Sequence, residues 1–147
     1  MKSCFFIGHR EATEALLPQL MDVIERLVSQ GVTDFVVGHY GGFDRVAASA
    51  VQRAKARHPY ITLTMLIPYH PAERPLPLPP GYDGSFYPPG MERVPRRLAI
   101  LRANRYMVDH ADVLVSYVWH PASNARALVE YAEKKGCIQI IRLSRCV

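Results

Sequence analysis

Two short segments hold the residue types best suited to chemistry: FFIGHR at 5–10 and FVVGHYGGFDR at 35–45. In each, an apolar run stops at Gly-His and polar residues follow. Gly8, Gly38, Gly41 and Gly42 let backbone N–H groups approach an anion closely, because glycine has no Cβ to hold a ligand off. Arg10 adds a fixed charge on a planar fork that matches phosphate or carboxylate. Asp44 can cap a following helix or accept a ribose hydroxyl. His9 and His39 offer either proton transfer or loop hydrogen bonds. Neither has a nucleophile or a paired carboxylate beside it in sequence, which favours the loop role. A third segment, WHPASNARALVEYA at 119–132, repeats the plan, with Ser123, Asn124 and Ala125 at the head of a helical pattern. A phosphate-bearing, nucleotide-like ligand is what such breaks serve, because a helix start presents free N–H groups and a positive dipole end. The candidate contacts are Gly8, His9, Arg10, Gly38, His39, Gly41, Gly42, Phe43, Asp44, Ser123, Asn124 and Ala125.

Other residues carry two readings each. Arg102 and Arg105, with Asn104 between them in RANRYM, form either a solvated, salt-bridged helix face or a face turned to the ligand or a partner subunit. Glu130 is the carboxylate inside the apolar part of the last helical pattern. It can act as a general base or polarise a sugar hydroxyl, although a plain surface glutamate is the commoner case. His58, His70, His110 and His120 have no metal-like spacing, and neither do the three cysteines. No metal and no resident cofactor is expected.

The elements that must position these residues alternate strand and helix. Strands are predicted at 3–8, 34–38, 61–67, 112–119 and 137–143. The second helix is expected from Gly42–Asp44 to Arg57, and the third over 94–110. Leu17, Leu20, Met21, Ile24, Leu27 and Val28 recur at helical spacing, with Pro18 in the first turn and Gly31 at the stop. The nearly continuous apolar strands are those of a buried parallel sheet, and the alternation implies right-handed crossovers. The expectation is one α/β, Rossmann-like, three-layer domain over 1–147 with a mainly parallel sheet of about five strands. Between 68 and 95 the character changes: nine of the twelve prolines lie there, interleaved with Tyr69, Tyr82, Phe86 and Tyr87. That insertion is either a functional loop or cover for a sheet edge.

Composition excludes some classes. Hydrophobic residues make up 49% and charged residues 21% of the 147, which is far from a disordered chain. The apolar runs are too short to span a bilayer, so no membrane partner is expected. An odd cysteine count without a secretory signal fits a reducing cytoplasm. The net charge of +5 permits an anionic ligand or weak nucleic-acid affinity.

Taken together, FIGHR, GGFDRVAASAV, YDGSFYPPGMERVPRRLAI and NRYMVDHADVLVSYV resemble the YpsA-like branch of the SLOG superfamily. That superfamily joins the DNA-processing protein A fold to the LOG phosphoribohydrolases. The resemblance covers nearly the whole chain and implies a Rossmann-like domain that binds a nucleotide or nucleotide-derived molecule through the three loops above. It also implies homo-oligomers, since relatives commonly self-associate. LOG hydrolases carry PGGxGTxxE, whose glutamate is catalytic. This chain has PASNARALVE, without the loop glycines and with Glu130 one place later.

Three functions follow as expectations. The first is binding of a nucleotide or ADP-ribose-like ligand, as in a sensor. The second is N-glycosidic cleavage of a nucleoside monophosphate, with Glu130 activating the attacking group. The third is single-stranded nucleic-acid binding, with aromatics of the 82–87 loop stacking on bases.

Overall fold

In the computed structural model, which describes residues 2–120 and 123–145, every strand pairing is parallel. The chain runs β1 (Lys2–Gly8), α1 (Leu17–Ser29), β2 (Val32–Val37), α2 (Gly42–Arg57), β3 (Thr62–Leu66), β4 (Gly84–Phe86), α3 (Ala99–His110), β5 (Val113–Tyr117), α4 (Asn124–Lys135) and β6 (Gln139–Arg142). The sheet order is β4-β3-β2-β1-β5-β6.

Strand side chains alternate between two helical layers, as the two-residue period of a strand requires. Cys4 and Phe6 of β1, Phe35 and Val37 of β2, and Val113 and Val115 of β5 pack with Leu20, Ile24 and Leu27 of α1 and Val51 of α2. Phe5, Val36 and Leu114 point the other way, onto Ala103 and Met107 of α3 and Leu128 of α4. Phe5 and Phe6 are adjacent and both fully buried, one in each core. A strand buried on both faces cannot show alternating polarity, which is why residues 4–7 of β1 are one unbroken apolar run. Burial also pushes the Cys4 thiol far above its ordinary range, so it is an inert core group.

Two departures from the sequence expectations stand out. The sheet has six strands, not five: Gly84–Phe86, inside the proline-rich insertion, adds β4 to the edge of β3. Asp83 secures this short strand. Its N–H donates to Leu63 O at 2.8 Å and its carboxylate accepts from Leu63 N–H at 2.8 Å while pairing with Lys55. Those bonds hold the Asp83 carboxyl below its ordinary value, the Lys55 hydrogen bond most of all. Three residues with a glycine and a serine among them have no periodicity to detect. The third helix starts at Ala99 rather than 94, behind two short 3-10 turns at Met91–Arg93 and Arg96–Leu98. Pro95 explains the delay, since it has no N–H and forces Val94 into extended backbone (φ −87°, ψ 129°).

Among the described residues, no helix is long and apolar enough to cross a membrane.

Candidate functional site: a cleft where the strand order turns back

From β1 the chain lays strands outward to β4, then returns to the opposite side of β1 to place β5 and β6. The loops leaving β1 and β5 therefore part in opposite directions, and a crevice opens beyond the carboxyl ends of those strands. A cleft of about 590 Å³ occupies that position. Its walls are the loop after β1 (Gly8, His9, Arg10, Glu11), the turn after β2 (Gly38, Tyr40, Asp44) and the segment after β5 (Trp119, His120, Ser123, Asn124, Ala125). The fourth wall comes from the approach to α3 and its first turns (Arg97, Leu98, Ile100, Leu101, Asn104).

His9 ties two of these walls together. Only 6% exposed, it accepts the Trp119 N–H at 2.9 Å and the His120 N–H at 3.1 Å, both on Nε2. An imidazole nitrogen that accepts cannot carry the proton, so the ring proton sits on Nδ1. Burial lowers the His9 pKa, opposed by the Glu11 carboxylate and reinforced by His120. A neutral clamp between the β1 and β5 loops is the outcome.

The glycines are there mainly for contact between loops. A Cβ on Gly8 would enter the Phe43 ring, and Phe43, buried, stacks in turn on Tyr117 at 6.0 Å. A Cβ on Gly42 would collide with the carbonyl oxygens of Arg10 and Ala12. That closeness lets the Gly42 N–H donate to Arg10 O at 2.9 Å, pinning the start of α2 to the β1 loop. A Cβ on Gly41 would lie 2.9 Å from Cγ of Arg10.

Asp44, in the first turn of α2, receives the Tyr40 N–H on Oδ2 at 3.0 Å. Burial raises its pKa, against the Tyr40 hydrogen bond and the charges of His39, Arg10 and Arg45. On the opposite wall, Ser123 caps α4 by accepting the Arg126 N–H at 3.0 Å, while Gly136 ends the helix in the left-handed region at φ 70°. The cleft thus combines two guanidinium groups (Arg10, Arg97), a capped helix start, two carboxylates (Glu11, Asp44) and an apolar strip of Leu98, Ile100, Leu101 and Leu128. Trp119, 37% exposed, forms part of its rim. The guanidinium of Arg145 lies 4.0 Å from the Trp119 ring centre, and the His9 ring sits at 5.0 Å, steeply inclined.

Of the residues singled out in the sequence, Gly8, His9, Arg10, Gly38, Asp44, Ser123, Asn124 and Ala125 line this cleft. Gly41, Gly42 and Phe43 support it from behind. His39 is exposed and meets the Tyr40 ring edge-on at 5.5 Å. Arg102 and Arg105 are exposed outside the lining, and Arg105 covers the Tyr131 ring at 4.9 Å. Helix geometry explains this: Leu98, Leu101 and Asn104 share one stripe, and each arginine stands one residue, about 100°, further round. Glu130 is likewise exposed and outside the lining, two residues and about 200° from Leu128. Pro121 and Ala122, the head of PASNAR, fall outside the described residues, as does Cys146. Tyr40, Glu11, Arg97 and Trp119 were not legible as site residues, because only the topology brings them to one place; Asn104, noted in RANRYM with Arg102 and Arg105, lines the cleft without those two arginines. Among the described residues, no three His, Cys, Asp or Glu side chains converge as metal ligands would.

The same fold occurs in DNA processing protein A. The Helicobacter pylori protein, whose structure is described for its single-stranded DNA binding mode, superposes with a TM-score of 0.67 at 18% identity, over 99% of this chain and 66% of that one. The Streptococcus pneumoniae protein superposes at 0.70 with 16% identity, over 100% of this chain and 52% of that one. This chain therefore spans between half and two thirds of the length of these neighbours, and at such identities the likeness is one of fold. No family model and no curated protein matches the sequence.

Proposed function

We propose that the cleft binds a nucleotide or nucleotide-derived molecule, its phosphate held between Arg10, Arg97 and the start of α4. One observation carries this: two arginines and a capped helix N-terminus meet at the strand switch point, where α/β sheets place such ligands. Guanidinium forks match phosphate geometry, and the apolar strip with the Trp119 rim suits a base and sugar. Membership of the YpsA-like branch of the SLOG superfamily, a cytoplasmic location and self-association through α3 belong to the same proposal.

Hydrolysis of the ligand is not favoured, because Glu130 stands away from the cleft. Chemistry there would fall to Glu11 or Asp44, the carboxylates that line it.

The test is thermal unfolding in the presence of individual nucleoside mono- and diphosphates and ADP-ribose. A ligand at 100 times its dissociation constant adds about 2.7 kcal/mol, which raises the midpoint by several degrees in a chain of this size. Arg10→Ala is expected to weaken the response by about tenfold or more in affinity, as loss of a charge-assisted hydrogen bond does. No midpoint shift with any nucleotide at millimolar concentration would remove the proposal.

A second reading, single-stranded nucleic-acid binding, is favoured by the fold shared with DNA processing protein A and by Arg74 and Arg96 over the Tyr69 ring at 4.4 and 5.8 Å. Its signature is oligonucleotide affinity that falls steeply with salt, without stabilisation by mononucleotides.

A further inference from the structure

Between β3 and β4 the chain reads Arg74-Pro75-Leu76-Pro77-Leu78-Pro79-Pro80. Each of these residues is a proline or stands directly before one. Proline fixes its own φ near −65°, and its ring drives the preceding residue out of the helical region toward extended backbone. Covalent sterics alone therefore restrict the stretch to extended backbone of the polyproline II kind, with three residues per turn and a length of roughly 19 Å at 3.1 Å per residue. Binding such a segment costs little ordering entropy, because the ordering is already done.

The stretch is presented outward and tied at both ends. Residues 74–78 and Pro80 are exposed, with Leu76 at 39% and Leu78 at 42%, unusual values for leucine in this protein. At one end the Arg74 N–H donates to His70 O at 3.0 Å, and its guanidinium lies over Tyr69. At the other, Tyr82 N–H donates to Pro79 O at 3.4 Å and Gln52 Nε2 to Pro80 O at 3.5 Å, next to Gly81 at φ +92°. None of the seven residues lines the cleft.

We infer that this strap is a docking site for a protein module with an aromatic-lined polyproline groove flanked by acidic side chains, of the Src-homology-3 kind. The three-residue repeat aligns Arg74, Pro77 and Pro80 along one edge and Leu76 with Pro79 along the next. Leu76-Pro77 and Pro79-Pro80 are then two apolar-proline ridges one turn apart, the shape that a pair of aromatic slots accepts. Arg74, one turn before the first ridge, supplies the charge that fixes the direction of docking against a carboxylate. The proline-rich sequence that breaks regular structure is thus what a partner reads.

The experiment is calorimetric titration of the full chain with an isolated Src-homology-3 module that takes an Arg-first R-x-x-P-x-x-P ligand. Expected is saturable one-to-one binding, weakened on the order of tenfold or more by the double variant Pro77→Ala/Pro80→Ala and by Arg74→Glu. Nucleotide response should stay as in the parent chain, and the unfolding midpoint should drop only slightly, in Arg74→Glu through the lost contact with the Tyr69 ring. Arg74→Glu changes one exposed side chain, so it decides the matter even if the double variant folds poorly. Absence of saturable binding overturns the inference. So does binding that both variants leave intact, or binding by a free 72–82 peptide that the intact chain does not reproduce.

Discussion

Gly8-His9 and Gly38-His39 are nearly interchangeable as sequence, yet the fold uses them in opposite ways. Both pairs end or directly follow a parallel strand and precede a helix. β1, however, lies beside β5, with Gly8 in register with Tyr117, so the loop after β1 faces the loop after β5 at close range. His9 fills that gap and satisfies two backbone donors. β2 sits between β1 and β3, away from the point where the strand order turns back. His39 consequently has no facing loop to clamp and lies in solvent against Tyr40. Gly8 is packed flat under the Phe43 ring, whereas the nearest neighbour of a Cβ on Gly38 would be the Asp44 carboxylate, at 2.9 Å from Oδ2. What a short motif does is decided by the strand next to it.

This contrast can be broken by paired substitutions. The largest difference is expected between Gly8→Ala and Gly38→Ala. The first forces a methyl into a ring with no room to retreat and should cost about 2–3 kcal/mol of unfolding free energy. The second meets the carboxylate oxygen that accepts the Tyr40 N–H, and should cost less, about 1 kcal/mol, for weakening that one bond. Urea denaturation of the two variants measures both, and equal losses would dissolve the distinction.

Next in size is His9→Ala against His39→Ala. Removing the His9 ring leaves the Trp119 and His120 N–H groups without their acceptor, a loss of about 2 kcal/mol, while His39→Ala should stay within about 0.5 kcal/mol. If the two variants unfold at the same urea concentration, His9 is no clamp.

Acid should act on the same bond. The His9 pKa is lowered from the usual 6.5, so between its folded value and 6.5 the unfolded chain binds more protons than the folded one. Stability is then complete above about 6.5 and declines as the pH drops toward the folded value. In His9→Gln, whose amide does not titrate, that part of the decline should vanish from the pH dependence of the unfolding midpoint. A slope unchanged by the substitution would assign the acid sensitivity elsewhere.

The smallest effect concerns the α3 surface. Arg105→Ala should cost about 0.5–1 kcal/mol, for an exposed cation over the Tyr131 ring, and should leave the proposed nucleotide response as in the parent chain. Arg97→Ala should do the reverse, sparing stability and weakening binding, which a thermal-shift titration separates from the stability change.

The alternating plan, the strand cores and the three loops were readable because parallel strands are continuous apolar runs and helices repeat at 3.6 residues. β4 was not, since three residues paired through Asp83 leave no pattern. In the site, the β1, β2 and β5 loops carried visible glycines and a helix cap. Arg97 and Asn104, about 90 residues from Gly8 in sequence, reach the cleft only through the crossover that carries the chain back past β1. The role of the glycines was also hidden. Gly41 and Gly42 look like phosphate loops in sequence, and only the positions of the Arg10 side chain against Gly41 and of the Arg10 and Ala12 carbonyls against Gly42 show how tightly they pack.

Trp119 is the chain's single tryptophan, and it stands on the rim of the cleft beneath the Arg145 guanidinium. All indole emission from this protein therefore arises at one place. Entry of an aromatic guest, departure of Arg145 or release of the Trp119 amide by His9 would each alter the light from that one ring, so the molecule carries its own optical gauge of the cleft.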